Sequence, residues 1–160
     1  MVPDASTFLG IAFVNQGEVQ AKGLELEAQM RLGRDSRLLT SYALQSAIEQ
    51  ETRAGLPNSP RHVAKLRIGV PGPIDRSFVS VEGQYLSNRG TLSGASVSAA
   101  ATADVTMIQP LGRSWELSGG VRNIFNVQYS DPVSTQHLHD SIPQNGRTAR
   151  IGLRWEPWTN

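Results

Sequence analysis

The stretch Gly23-Leu24-Glu25-Leu26-Glu27-Ala28-Gln29-Met30-Arg31-Leu32 alternates strictly between apolar and polar residues. In an extended chain Leu24, Leu26, Ala28, Met30 and Leu32 fall on one side, and Glu25, Glu27, Gln29 and Arg31 on the other. Successive side chains of a β-strand point to opposite faces, whereas a helix scatters these two sets around its circumference. The stretch therefore reads as a strand with one apolar and one polar face.

The same alternation recurs on either side of it. Arg147 to Trp155 sets Ala149, Ile151, Leu153 and Trp155 against Thr148, Arg150, Gly152 and Arg154. His62 to Val70 sets Ala64, Leu66, Ile68 and Val70 against Val63, Lys65, Arg67 and Gly69, and Ser77 to Tyr85 sets Val79, Val81, Gly83 and Tyr85 against Phe78, Ser80, Glu82 and Gln84. Arg37 to Glu49, Ser96 to Ile108 and Ser114 to Asn123 alternate less cleanly, and an opening run near Ser6 to Asn15 completes a set of about eight strands. The alanines of the Ser96 to Ile108 run also suit a helix. No stretch reads as a convincing helix of ordinary length.

The links between these runs alternate as well. Gly33 to Ser36, Pro71 to Asp75 and Pro110 to Arg113 are tight and turn-rich. Gln50 to Pro60, Ser87 to Gly94 and Asn126 to Gly146 are longer, and the short link at Gln16-Gly17 occupies a long-loop position. Short links on one rim and long links on the other are the habit of an up-and-down barrel in an outer membrane.

Composition narrows the alternatives. The chain has 160 residues, 15 Lys plus Arg against 14 Asp plus Glu, a net charge of +1 and no cysteine. This balance excludes a nucleic-acid binder that works by neutralising many phosphates. The lack of cysteine excludes disulfides and thiolate chemistry. No apolar run is long enough for a membrane-spanning helix, and Met1 to Ala12 lacks the pattern of a signal peptide. Strands that cross a membrane leave no such hydropathy peak. The apolar faces carry no charge over their central parts, and runs of about 10 to 13 residues suit a tilted crossing better than a strand of a soluble sheet. The polar faces carry Glu25, Glu27, Arg31, Lys65, Arg67, Glu82, Asp104, Glu116, Arg122, Arg150 and Arg154, which suits a wet lumen. Trp115, Trp155, Trp158, Tyr42, Tyr85 and Tyr129 would supply thin interfacial belts.

Four motifs resemble one family. Asn15-Gln16-Gly17 followed by Lys22-Gly23-Leu24-Glu25-Leu26-Glu27 is similar to a hairpin in the barrels of TonB-dependent outer-membrane receptors. Leu56-Pro57-Asn58-Ser59-Pro60-Arg61-His62 resembles that family's lead-in to an intermediate strand. Val121-Arg122-Asn123-Ile124-Phe125-Asn126-Val127-Gln128-Tyr129 and Pro143-Gln144-Asn145-Gly146-Arg147-Thr148 resemble its signature near the closing strand. The motifs follow the family's order and nearly span the chain. Two departures stand out: the last strand runs past Trp155 to Asn160 instead of ending on Phe, and about eight strands replace a 22-stranded barrel with its plug and TonB box.

The resemblance implies an all-β fold, an antiparallel up-and-down transmembrane β-barrel segment with short periplasmic turns and longer external loops. Residues 1–160 then correspond to the C-terminal barrel portion, without plug or TonB box. The implied role is TonB-dependent uptake of a scarce nutrient such as a ferric siderophore, in a Gram-negative outer membrane. The implied partners are membrane lipid, the rest of the barrel and the plug, TonB through the plug, and a small metal chelate; no nucleic acid and no cofactor are expected.

The motif residues Asn15, Gly17, Gly23, Glu25, Glu27, Pro57, Asn58, Pro60, Asn123, Phe125, Tyr129, Gly146 and Arg147 read as architecture. Gly23 is expected to open a strand after a loop, Asn123 to bond nearby backbone at a strand end, and Arg147 to pair with a carboxylate such as Glu116. His137, His139 and Asp140 are candidate ligand contacts in an external loop; without a fourth partner they suit a solvated loop better than a metal site. No nucleophile elbow, phosphate-cradling loop or zinc-protease motif occurs, so no enzyme is expected. Two other readings share the alternation: a self-contained eight-stranded outer-membrane barrel with a structural or adhesion role, and a soluble β-sandwich or lipocalin-like binding module.

Overall fold

A computed structural model describes residues 2–3, 11–12, 17–33, 35–134 and 136–157. Two short strands, β1 (Val2–Pro3) and β2 (Ile11–Ala12), pair with each other near the start. The long strands are β3 (Val19–Leu32), β4 (Ser36–Glu49), β5 (His62–Pro71) and β6 (Phe78–Leu86). A small hairpin of β7 (Arg89–Gly90) and β8 (Ser96–Val97) precedes β9 (Ala100–Leu111) and β10 (Trp115–Arg122). A second small hairpin of β11 (Ser130–Pro132) and β12 (Ser141–Pro143) precedes β13 (Thr148–Trp155). Apart from Ile11 and Ala12, the strand expected over Ser6 to Asn15 lies outside the described residues.

The long strands form one seven-stranded sheet in the order β13-β10-β9-β6-β5-β4-β3, every pair antiparallel. Each long strand pairs with the next long strand in the chain, which is an up-and-down meander. Register is continuous. β3 and β4, for example, pair one for one from Val19↔Glu49 to Leu32↔Ser36. The tight links leave from one end of the sheet, and the links spanning 50–61, 87–99 and 123–147 from the other.

Register decides which faces meet. Leu26 lies opposite Tyr42, Tyr42 opposite Ala64, Ala64 opposite Tyr85, and Tyr85 opposite Ala101. Val121 lies opposite both Val105 and Ala149. The apolar sets of all seven strands therefore share one face of the sheet. That face is uncovered: Leu26 is 58% exposed and Ile151 81%. Apart from Val19 and Phe78, every large exposed apolar side chain of this sheet lies on it. Among the described residues the buried apolar core is limited to Val97 and Ala100. A soluble sandwich needs a second layer over that face, and the described residues supply none. An apolar surface this continuous on a single layer matches the lipid-facing wall of a membrane barrel.

Strand length agrees. At a rise of about 3.3 Å per residue and a tilt of about 40°, about ten residues span about 25 Å, the height of the apolar band of such barrels. Trp115 and Trp155 stack at 6.0 Å between ring centroids at the tight-turn end. At the loop end Tyr42 bonds His62 Nδ1 at 2.7 Å, close to Tyr85 on the same face.

Several details differ from the sequence expectation. β3 begins at Val19, so Gly23 sits inside the strand. Its absent Cβ, not φ freedom, is what matters: a Cβ there would lie 2.8 Å from the Leu44 carbonyl oxygen. The Ser96 to Ile108 run divides, Ser96–Val97 joining a loop hairpin and β9 beginning at Ala100. Its alanines form strand because β6 and β10 hold both edges of β9, and this pairing outweighs their helix preference. The sheet remains open among the described residues, with β3 and β13 at its two edges.

Candidate functional site: the fastened loop cluster

The three long links gather at one end of the sheet, and a single buried cation joins them. Arg89 begins the β7–β8 hairpin and is only 6% exposed. Its Nη1 donates to Asn58 Oδ1 at 3.2 Å, in the 50–61 loop. Its Nη2 donates to the Ser130 carbonyl at 3.1 Å and to Asp131 Oδ1 at 2.6 Å, both in the 123–147 loop. Asn58 N donates in turn to the Gly90 carbonyl at 2.9 Å. A guanidinium suits this junction because its planar fork serves several acceptors at fixed angles.

A second junction lies farther out. Thr91 and Ser93, in the turn of the β7–β8 hairpin, both donate their hydroxyls to Asp140 Oδ2, the Thr91 bond measuring 2.5 Å. The hydrogen bonds from Ser93 and Thr91 hold the Asp140 carboxyl below the usual aspartate range. Asp140 therefore fastens one loop to another. His137, Leu138 and His139, just before it, are exposed. The three candidate ligand contacts thus do not converge: the imidazoles face solvent and the carboxylate is engaged elsewhere. Among the described residues no group of three or more His, Cys, Asp or Glu is placed to hold a metal ion.

The base of the 123–147 loop is built by Asn123, which is buried at φ 50°. Its Nδ2 donates to the carbonyls of Val127 at 2.9 Å and Asn145 at 3.3 Å, and its Oδ1 accepts from Val127 N at 2.9 Å. Asp104 Oδ1 accepts from Asn123 N at 2.8 Å. Asn126 Oδ1 accepts from Arg147 N at 2.8 Å, and a Cβ on Gly146 would come within 2.5 Å of that same oxygen. Tyr129 accepts at its carbonyl from Gln144 N, while Phe125 is 71% exposed. These bonds close the loop on itself at the strand ends.

The remaining motif residues fall as follows. Gly17 takes φ +80° beside Glu49, and Asn15 lies outside the described residues. Pro57 and Pro60 flank Asn58, itself at φ 53°, and the Pro60 carbonyl accepts from Gln45 Nε2 at 2.9 Å. Glu25 and Glu27 stand exposed on the polar face, opposite Ala43 and Ser41. The expected Arg147–Glu116 pair does not form. Glu116 lies opposite Arg154 at the tight-turn end and pairs with it at 3.3 Å, whereas Arg147 precedes β13 at the loop end. Arg89, Thr91 and Ser93 had no local signature, since their partners in the other loops lie 31 to 49 residues away along the chain.

The polar face carries its own order. Arg67 pairs with Glu82 at 3.0 Å and Arg122 with Asp104 at 3.5 Å, with Glu82 and Asp104 adjacent across the strands. Arg67, Glu82 and Asp104, with Glu27, Ser41, Lys65, Gln84 and Thr102, line a trough. One layer with an exposed apolar face, a charged opposite face, tight turns at one end and fastened loops at the other defines a section of an outer-membrane-type β-barrel wall.

Comparison with known proteins makes the assignment more specific. Residues 2–124 match the family model "TonB dependent receptor-like, beta-barrel", and the chain belongs to that family. The family and the similar structures are transport receptors rather than enzymes. The chain is similar to BauA, the ferric preacinetobactin receptor from Acinetobacter baumannii, with a TM-score of 0.73 and 15% identity, covering 97% of this chain and 25% of that one. It is similar to PiuA, a siderophore receptor from the same organism, with a TM-score of 0.72 and 15% identity, covering 87% and 22%. It is also similar to the closed form of Fiu, the ferric-catecholate import receptor from E. coli, with a TM-score of 0.72 and 16% identity, covering 94% and 23%. The chain thus spans about a quarter or less of these structures. No curated protein matches the chain.

Proposed function

We propose that this chain is the C-terminal portion, residues 1–160, of the barrel wall of an outer-membrane receptor that takes up a ferric siderophore with energy relayed through TonB. Its apolar face meets lipid, its polar face lines the lumen, and its three long loops stand at the external mouth. The uncovered apolar face carries this reading, because strands of 8 to 14 residues with exposed Leu and Ile on one side have no stable place in water. The plug, the remaining strands and the TonB contact belong to other parts of the receptor. On this reading His137 and His139 are contacts for an arriving chelate, which their exposure on the 123–147 loop supports.

The test is disruption and restoration of the coding sequence in the bacterium that carries it. Radiolabelled iron is supplied as catecholate, hydroxamate or citrate chelates under iron restriction. Loss of uptake for one chelate class, regained on restoration, supports the reading and names the ligand. Unchanged uptake of all three, with the protein in the outer-membrane fraction, refutes the iron role. Recovery of the protein in the soluble fraction refutes the membrane placement itself.

A further inference from the structure

The 123–147 loop closes on Asn145-Gly146, the one Asn-Gly pair of the sequence, just before β13. Both residues lie outside the strands, and Asn145 is exposed. The Asn145 side chain makes no hydrogen bond among the described residues. Its contribution to the fold is its carbonyl, which accepts from Asn123 Nδ2 at 3.3 Å. The Gly146 amide likewise has no acceptor among the described residues. Gly146 itself cannot be exchanged, since a Cβ there would come within 2.5 Å of Asn126 Oδ1. The structure thus requires glycine at 146 and makes no use of the amide at 145.

An asparagine amide in this setting is reactive. Glycine puts no Cβ beside the attacking nitrogen and leaves the backbone free to bring that nitrogen to Cγ of the preceding side chain. The other described asparagines are restrained. Asn58 precedes Ser59, and its Oδ1 accepts from Arg89 Nη1. Asn88 precedes the buried Arg89. Asn123 precedes β-branched Ile124 and is buried with Nδ2 and Oδ1 both bonded. Asn126 precedes β-branched Val127, and its Oδ1 accepts from Arg147 N.

We propose that Asn145 is a site of spontaneous deamidation, a one-way covalent timer at the base of the 123–147 loop. The Gly146 nitrogen gives up its proton and bonds Asn145 Cγ. The bond from Cγ to the side-chain nitrogen breaks, and ammonia leaves with that proton, closing a succinimide ring. Water then opens the ring. Attack at Cγ leaves aspartate, and attack at the main-chain carbonyl carbon leaves isoaspartate, whose chain runs through Cγ and carries one extra methylene. One water is consumed and one ammonia released. In the isoaspartate the oxygen that accepted from Asn123 Nδ2 belongs to a free carboxylate instead of the backbone. The added methylene also shifts Arg147 N away from Asn126 Oδ1. Both bonds that close the loop base from the β13 side are therefore lost. The chemistry is the same whatever ligand the receptor carries.

The full chain, extracted in detergent from the membrane in which it is made, is aged at mildly alkaline pH. Tryptic peptides 54–61 and 123–147 are sequenced by mass spectrometry, and isoaspartate is read by enzymatic carboxyl methylation. Residue 145 is expected to convert about tenfold faster, or more, than Asn58, Asn123 or Asn126. Its rate should lie within about threefold of that in the urea-unfolded chain, because nothing in the fold restrains it. Asn145→Gln should remove the methylation signal and leave the Val127 and Arg147 amides of fresh protein at the parent exchange rate. In aged parent protein those two amides should exchange about fivefold faster or more, with aged N145Q unchanged. Conversion at 145 confined to the unfolded chain would overturn the proposal, as would equal conversion at Asn58 or Asn126. Conversion with unchanged exchange would overturn the timer and leave a silent modification.

Discussion

Replacing Arg89 by Ala should loosen three loops at once. The side chain is 6% exposed and spends its guanidinium on Asn58 Oδ1, the Ser130 carbonyl and Asp131 Oδ1. Removing one partner of a buried pair costs about 3–5 kcal/mol when the other charge is stranded away from water. Here the Asp131 side chain is 38% exposed, so water recovers part of that loss. The Asn58 and Ser130 acceptors add about 1 kcal/mol each where they stay unsatisfied. The net expectation is about 2–3 kcal/mol of local stability, or about 30- to 150-fold in the opening equilibrium of the cluster.

Hydrogen exchange reads this directly. The Asn58 amide bonds the Gly90 carbonyl in a different loop, and the Val133 amide bonds the Asp140 carbonyl within the distal hairpin. Both should exchange faster by about that factor in R89A, while the ladder amides of β5 and β6 keep their parent rates. R89K keeps the charge but loses the planar fork, so it should recover Asp131 and lose Asn58. Acceleration confined to 87–99, with Asn58 and the β11–β12 hairpin unchanged, would refute the idea that Arg89 couples the loops.

Four shorter predictions follow from other parts of the wall. Leu26→Lys places a charge mid-strand on the apolar face and should cost about 2–4 kcal/mol of folding in lipid, whereas Glu27→Lys on the polar face should cost less than about 1; urea unfolding in vesicles compares them. Gly23→Ala sets a methyl 2.8 Å from the Leu44 carbonyl and should cost about 1–3 kcal/mol, read in the same titration. Asn123→Ala removes three side-chain bonds at a positive-φ position and should cost about 2–4 kcal/mol, seen as protease cutting between residues 123 and 147. Because the folded pKa of Asp140 is lowered, the stability it contributes is complete above its unfolded value of 3.8 and is lost as pH falls through the folded one. Exchange of the β7–β8 hairpin should therefore be flat from neutral pH to about 4 after correction for intrinsic rates, then rise, and Asp140→Asn should flatten that rise.

Much of the sheet was legible in the sequence because period-two alternation is a local signal. Six of the runs sit where the alternation put them and the seventh does so from Ala100 onward, and the shared apolar face follows from matching parity across each register. The misplacements arose where local and tertiary forces part. Val19–Lys22 joins β3 because β4 continues to Glu49 and supplies it with partners. Pro110 lies within β9, opposite Glu116, where proline pattern suggested a turn. The loop cluster was far less legible. Asn58 and Asn123 stood out through their motifs, but the cation that joins their loops did not. An arginine whose partners lie in two other loops has no periodicity to betray it.

The two faces of the sheet also differ in how they can be completed. The apolar face needs no specific neighbour, since lipid tails accept any apolar side chain at depth. The loop end is largely completed by the chain itself, through Arg89, Asn123 and Asp140. The polar face is only partly so: the Arg67–Glu82, Arg122–Asp104 and Arg154–Glu116 pairs are closed, while Glu25 and Glu27 pair with no charge among the described residues. A water-filled lumen leaves these charges solvated at little cost.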